Sequence, residues 1–167
     1  ILLRPYQIHA IDKIKEASRK QESGFVWHTT GSGKTLTSYT VTKNLLDIPA
    51  IDKTIFLIDR KDLDQQTSND FQSYAENDDV DIEDTARTSV LEDKLLNDSR
   101  IAIVTTIQKF QNILRKYSKD QLSPQLEKAR QKLKNKHLAF VIDECHRTVT
   151  PETKREIERF FDKPGKK

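Results

Sequence analysis

The sequence predicts an α/β fold, a three-layer sandwich around a mainly parallel sheet. Apolar runs of strand length alternate with segments of helical periodicity, which is the pattern of βαβ units. Residues 54–59 and 138–143 are apolar almost throughout, which is typical of strands that helices cover on both faces. Because 167 residues suit one domain, we expect residues 1–167 to fold together.

The individual elements follow from hydrophobic period and from turn residues. Residues 25–28 are predicted to form a short buried strand that places Trp27 in the core. The acidic stretch that ends near Asp84 is predicted to be loop with a short strand. The other predicted strands cover 54–59, 101–105 and 138–143, and the predicted helices cover about 5–20, 33–47, 62–71, 90–97, 107–117, part of 118–136, and 153–161.

Composition excludes some classes of protein. Charged residues make up 33% of the chain, above the roughly 25% of typical soluble domains. No apolar run approaches the ~18 residues that a membrane span needs, so we expect no membrane partner. The single cysteine, Cys145, cannot form an internal disulfide, which favours the cytoplasm. Because the chain has no methionine, we expect it to be part of a longer protein.

The segment His-Thr-Thr-Gly-Ser-Gly-Lys-Thr, residues 28–35, carries the strongest chemical signal. Glycines between a predicted strand and a predicted helix let the backbone close on phosphates, and the helix N-terminus attracts anions. His28 stands where the full phosphate-loop pattern has its first glycine. An ordinary Gly-Ser turn is the alternative interpretation. The predicted phosphate-binding residues are Thr30, Gly31, Ser32, Gly33, Lys34 and Thr35, of which Thr35 would also hold magnesium.

A pair of carboxylates follows the last strong strand. Asp143 would reach the magnesium ion, and Glu144 would orient a water for attack on the γ-phosphate. A capped strand end followed by solvated charges is the alternative interpretation. Together with the phosphate loop, the pair predicts a site for ATP and Mg²⁺ in which Lys34, Asp143 and Glu144 are catalytic.

At this point the motifs resemble a known family. Residues 143–146, Asp-Glu-Cys-His, resemble the D-E-x-H box of superfamily 2 helicases and translocases, and residues 28–35 resemble motif I of that superfamily. Four segments in the same order resemble the motor subunit of type I restriction enzymes. These segments are residues 27–37, 59–67, 105–110 and 143–147.

The resemblance implies a RecA-like P-loop NTPase domain, the first of two in the motor. It also implies that ATP hydrolysis drives translocation on double-stranded DNA, with methylation and specificity subunits as partners in restriction. A nuclease domain would precede this domain, and the second RecA-like domain would follow it. The isolated fragment is expected to bind nucleotide but to hydrolyse it poorly.

The resemblance also assigns roles to single residues. Gln7 matches the glutamine that recognises adenine, since an amide can both donate and accept a hydrogen bond, and Arg4 would help to hold the base. An exposed helix position is the alternative for Gln7. His146 matches the residue that couples the ATP site to the facing domain.

Four further residues match motifs that lie along the DNA in such motors. Arg60 and Lys61 follow the second predicted strand, and Thr106 and Gln108 follow the third. Thr106 could equally cap the helix that begins at Ile107. The basic stretch 115–136 could lie near nucleic acid, although such runs are more often solvated surface.

Three other functions stay open at this point. The chain could belong to another superfamily 2 enzyme, such as a repair or RNA helicase. It could also be a P-loop kinase or GTPase, or a DNA-binding module without catalysis. Cys145 is expected to be a small buried residue rather than a nucleophile. His9 and His137 lack metal-ligand spacing, so no metal other than magnesium is expected.

Overall fold

In a computed structural model of the chain, residues 2–29, 31–58, 70, 73–74, 82–84, 87–145 and 149–161 are described. Within them, strands and helices alternate as the sequence predicts. The strands are β1 (Lys53–Ile58), β2 (Ile82–Asp84), β3 (Ile101–Thr106) and β4 (Leu138–Ile142). The helices are α1 (Pro5–Arg19), α2 (Lys34–Leu45), α3 (Thr88–Leu96), α4 (Ile107–Tyr117), α5 (Pro124–Lys134) and α6 (Pro151–Phe161).

All strand pairs of the described sheet are parallel, and the strand order is β2-β3-β1-β4. In the register, Ile58 of β1 lies beside Thr106 of β3, and Leu57 lies beside Ile142 of β4. The C-terminal ends of these three strands therefore meet at one edge of the sheet. Asp143 and Glu144, which follow β4, lie at that edge.

Helices cover both faces of the sheet, so the three-layer prediction is confirmed. Successive residues of β1 point to opposite faces, and all six are buried. Ile55 and Leu57 pack in a cluster with α3, α4, α5 and α6, whereas Phe56 and Ile58 pack with Tyr39 of α2. On the α2 side, Ile11 of α1 joins a further cluster. Burial on both faces explains why this strand is an uninterrupted apolar run.

The prediction for residues 25–28 is wrong. These residues form neither a strand nor part of the core, since Trp27 is 95% exposed and Phe25 is 79% exposed. The apolar run has the composition of a strand, but a strand also needs a neighbour to pair with. None of the described strands pairs with residues 25–28, and β4 is only half-buried at the edge of the sheet.

The basic stretch is largely neutralised within the fold. Arg130 pairs with Glu127 on the same helix, and Lys132 and Lys136 both pair with Asp98. Lys134 lies over the ring of Phe160, and Lys116 pairs with Glu92. These contacts support the interpretation as protein surface. No helix among the described residues is long and apolar enough to cross a membrane.

The N-terminal edge of the sheet contains a fully buried lysine. The ammonium of Lys53 donates to the side-chain oxygen of Asn97 at 2.7 Å and to the carbonyl of Ser99 at 2.6 Å. Burial, and to a smaller extent repulsion from Lys136, lowers the pKa of Lys53 to about 8. Nearby, Arg100 donates to the carbonyls of Ile48 and Ile51 and so fixes the connection from α2 to β1.

Lys53 should make stability rise with pH. Its pKa is about 8 in the folded chain and about 10.4 when unfolded. Between these values the unfolded chain binds more protons, so the free energy of unfolding increases with pH. We expect a gain on the order of 2 kcal/mol from pH 8 to 10, relative to Lys53→Met. Urea unfolding at each pH measures it. Lys128→Met, at an exposed position, is the control and should change the free energy of unfolding equally at both pH values. The prediction would be contradicted if the free energy of unfolding of Lys53→Met rose with pH as much as that of the wild type.

Candidate functional site

The loop before α2 has the backbone shape of an anion-binding turn. Gly31 and Gly33 have φ angles of +74° and +77°, a left-handed conformation that residues with a Cβ rarely adopt. The amide of Ser32 donates to the carbonyl of Thr29 at 3.2 Å, and His28 Nδ1 lies 3.0 Å from Ser32 Oγ. Helix α2 begins at Lys34, directly after the second glycine. The loop and the helix N-terminus therefore form one unit.

The carboxylate pair follows β4 in a tight turn. The amide of Asp143 still donates to the carbonyl of Leu57 at 3.0 Å, so Asp143 continues the register of the sheet. Glu144 then adopts a φ angle of +46°. Non-glycine residues adopt this conformation at an energetic cost, and it persists only where the surroundings fix it. Here the amide of Glu144 donates to Asp143 Oδ1 at 2.9 Å, which stabilises the turn.

Lys34 joins the loop to the carboxylate pair. Its Nζ lies 3.0 Å from Asp143 Oδ1 and also donates to Glu144 Oε1. Partial burial alone would lower the pKa of Lys34, but the bonds to Glu144 and Asp143 outweigh burial and raise it. The ammonium is therefore held in its charged form. Three residues that the sequence assigns to catalysis thus meet at one point, although about 110 residues separate Lys34 from the pair.

Gln7 contacts the same loop from α1. Its side chain is buried, with 2% exposed, so the alternative of an exposed helix position is excluded. The amide nitrogen donates to the carbonyl of Gly33 at 3.2 Å and to Thr37 Oγ1 at 3.0 Å. The amide oxygen accepts from the backbone of Arg4 at 2.9 Å. In this structure, the amide group of Gln7 therefore bonds within the protein at both of its ends.

Sequence reasoning gave no role to the neighbouring tyrosine. Tyr6 Oη donates to the carbonyl of Ser32 at 2.5 Å, across 26 residues of sequence. Its place directly before Gln7, in the segment Arg4-Pro5-Tyr6-Gln7, is the signal that could have indicated a contact with the loop. Two successive residues of α1 thus hold two successive carbonyls of the loop.

Four of the remaining predicted residues belong to the described part of the chain. Thr35 is half-buried in the first turn of α2, and Arg4 is exposed at the start of α1. Thr106 Oγ1 accepts from the amide of Lys109 at 3.3 Å, so the helix-capping alternative is confirmed for Thr106. Gln108 is exposed on the first turn of α4. Thr30, Arg60, Lys61 and His146 lie outside the described residues.

Comparisons with known proteins agree with this geometry. The family model of the SWI2/SNF2 ATPases matches residues 6–165, which span every element described above. The chain belongs to the SWI2/SNF2 ATPase family. The fold is therefore that of a RecA-like ATPase, as the sequence predicts.

Relatives of this ATPase domain are subunits of restriction enzymes. A putative type I restriction enzyme endonuclease subunit, C-terminal part, of Mycoplasma pneumoniae is 38% identical over 96% of this chain and 79% of its own length. Endonuclease subunits of type I restriction enzymes from Staphylococcus saprophyticus and Staphylococcus aureus are 37% and 39% identical. The chain spans 16% of the length of each staphylococcal subunit. The predicted resemblance to the motor subunit of type I restriction enzymes is thus confirmed.

The two loop glycines of this ATPase domain should differ in their tolerance of a side chain. A Cβ on Gly33 would lie 2.9 Å from the Gln7 amide nitrogen, whereas one on Gly31 would meet nothing within 4 Å. Both substitutions carry the cost of a left-handed backbone, about 1 kcal/mol. Gly33→Ala should cost about 1 to 2 kcal/mol more, because Gln7 must shift and give up hydrogen bonds. Urea unfolding of Gly33→Ala and Gly31→Ala measures the loss in free energy of unfolding for each variant. Equal losses would show that the Gln7 side chain can move away from the added Cβ without cost.

Proposed function

We propose that this domain is the ATP-hydrolysing motor of a type I restriction endonuclease and drives translocation along double-stranded DNA. The meeting of Lys34 with Asp143 and Glu144 carries the proposal. It brings a phosphate-loop lysine to the acidic pair at the C-terminal edge of a parallel sheet, where α/β folds bind nucleotides. The names of the relatives supply the biological setting.

The residues present fit a nucleotide with magnesium. The exposed, left-handed glycines allow phosphates to approach the backbone, and the Gly31 α-carbon has open space beside it. Lys34 supplies positive charge for the phosphates, and the Thr35 hydroxyl and the Asp143 carboxylate offer hard oxygen ligands for Mg²⁺. When bound, the ion neutralises charge on the phosphates. We propose that Thr30, Gly31, Ser32 and Gly33 also bind the phosphates of the nucleotide.

Glu144 is the proposed general base. Its carboxylate lies beside Lys34, which would hold the γ-phosphate, so the carboxylate would lie near a water that attacks that phosphate. Asp143 continues the sheet and is fixed more rigidly, which suits a metal ligand. His146 is proposed to pass the state of the site to a facing domain.

We retain adenine recognition by Gln7, with Arg4 beside it, as a proposal. Both N–H groups of the amide already donate, to Gly33 and Thr37, so donation to a base would require the exchange of one of these bonds, whereas the oxygen can accept a second bond beside that from Arg4. Adenine offers both a donor and an acceptor on one edge, so an amide can replace such bonds in kind.

Contact with DNA is proposed at the edge where β1 and β3 end. Gln108 is exposed there, and Arg60 and Lys61 follow β1 in sequence. The buried hydroxyl of Thr106 serves the helix cap, so its proposed contact would have to involve the backbone or a rearranged side chain. A motor passes over any sequence, which favours contacts to phosphates over contacts to bases.

The proposal extends to the complete assembly. We propose that residues 1–167 are the first RecA-like domain of the motor, and that methylation and specificity subunits are its partners. Membership of the SWI2/SNF2 ATPase family and the Asp143–Glu144 pair argue against a P-loop kinase or GTPase. An RNA helicase function would show itself as ATPase activity that RNA, rather than duplex DNA, stimulates, whereas a nuclease domain in the full-length protein would distinguish a restriction motor from a repair helicase.

Removal of the lysine tests nucleotide binding. Lys34→Ala should weaken ATP binding at least about 10-fold, because a charge-assisted contact to phosphate contributes about 1.5 to 3 kcal/mol. Titration calorimetry with Mg-ATP measures the affinity, and thermal unfolding reports whether the fold is intact. Lys43→Ala, on the same helix, is the matched control and should bind ATP normally. Equal affinities of Lys34→Ala and the wild type would remove the loop from nucleotide binding.

Replacement of the proposed base separates binding from chemistry. Glu144→Gln keeps the shape of the side chain but removes the charge that accepts a proton. In the full-length protein, DNA-stimulated phosphate release should fall at least about 100-fold, while ATP binding persists. Asp143→Asn should in addition weaken magnesium-dependent binding. Near-normal turnover by Glu144→Gln would show that another group activates the water, and a rate that duplex DNA does not raise would contradict the motor function.

A further inference from the structure

The N-terminus of α1 contacts the backbone of the phosphate loop rather than its side chains alone. Tyr6 donates to the carbonyl of Ser32, and Gln7 donates to the carbonyl of Gly33. These carbonyls belong to the successive peptide groups Ser32–Gly33 and Gly33–Lys34. Two adjacent residues on one helix therefore fix the orientation of two adjacent peptide planes.

In a peptide group, the direction of the carbonyl determines the direction of the N–H in the same plane. A trans peptide is planar, so its N–H points away from its C=O, and the described residues contain no cis peptide. With both carbonyls directed at α1, the N–H groups of Gly33 and Lys34 point away from α1. Amides at a glycine-rich turn and at the first position of a helix are the donors that bind phosphates in such loops.

We propose that Tyr6 and Gln7 are positioning residues that hold the phosphate loop in its anion-binding shape. They do so by aiming the amides of Gly33 and Lys34 at the phosphates of the nucleotide. This inference rests on the proposed function and adds to it. Tyr6 receives a role, and Gln7 acts on the phosphate end of the ligand in addition to any contact with the base.

Each of the two contacts restrains one of the peptide groups that flank Gly33. Gly33 has a positive φ angle, and the carbonyl of the plane that follows it also accepts from the amide and the hydroxyl of Thr37, each at 3.1 Å. Gln7 is buried and is itself anchored by Arg4 and Thr37, so it cannot follow the loop. Tyr6 is more exposed, and its hydroxyl restrains the plane on the other side of Gly33.

The alternative is that α1 acts only on the base, and a ligand without a base separates the two. The full-length protein is titrated with a fluorescent ATP analogue, and ATP, GTP and inorganic tripolyphosphate compete for the site in the presence of Mg²⁺. Tyr6→Phe removes only the hydroxyl. It should weaken all three competitors by the same factor, about 3- to 10-fold, which is the worth of one hydrogen bond. Gln7→Ala should weaken tripolyphosphate at least as much.

Tyr117→Phe is the matched control, because it removes a tyrosine hydroxyl that bonds to Glu92 on a different face of the sheet. It should leave all three affinities unchanged. A loss for ATP without a loss for tripolyphosphate in Tyr6→Phe and Gln7→Ala would overturn the inference, and so would unchanged binding in both variants. If the wild type bound no competitor, or bound all of them as well after Lys34→Ala, the proposed function itself would fail.

Discussion

The structure of the site depends on one interaction, the contact of the Lys34 ammonium with Asp143 and Glu144. It links a loop that follows no described strand to the C-terminal end of β4, at the edge of the sheet. The parallel register delivers the carboxylates to the correct edge, and α1 holds the loop from the other side. Without the ion pair, the glycine turn would keep its contacts with α1, its connection to α2 and the local bonds of Ser32 to Thr29 and His28.

Two buried or half-buried lysines show how the surroundings decide the charge of the same group. Lys34 faces two carboxylates, and its pKa is raised despite the cost of burial. Lys53 is fully buried against neutral oxygen acceptors, the Asn97 amide and the Ser99 carbonyl, and its pKa is lowered to about 8. Hydrogen bonds to two carboxylates outweigh desolvation at Lys34, whereas the attraction of Asp52 and Asp98 does not outweigh it at Lys53. The two ends of the sheet therefore use lysine for different purposes.

The sequence predicted those features that depend on local pattern. Strands β1 and β4 were evident because each is a continuous apolar run, which burial on both faces requires in β1, and the acidic pair was evident because it follows such a run directly. Residues 25–28 show where prediction from local pattern fails, because the composition of a strand does not show whether a neighbouring strand is available for pairing. Tyr6 was missed for a similar reason: its contact with Ser32 spans 26 residues and depends on how α1 packs. The resemblance indicated a role for Gln7 but not its burial.

The ion pair also sets a condition on the proposed mechanism. Phosphates that approached Lys34 would meet an ammonium that two carboxylates already hold, so binding would exchange one anion for another instead of neutralising a free charge. The exchange would release the carboxylates of Asp143 and Glu144 from Lys34, and Asp143 could then hold Mg²⁺, which would supply positive charge beside the phosphates. Glu144 would then lose its contact with Lys34, and its carboxylate could turn towards water. A base that pairs with Lys34 before binding cannot act on water at the same time, so this arrangement would keep the acidic pair inactive until the phosphates are in place.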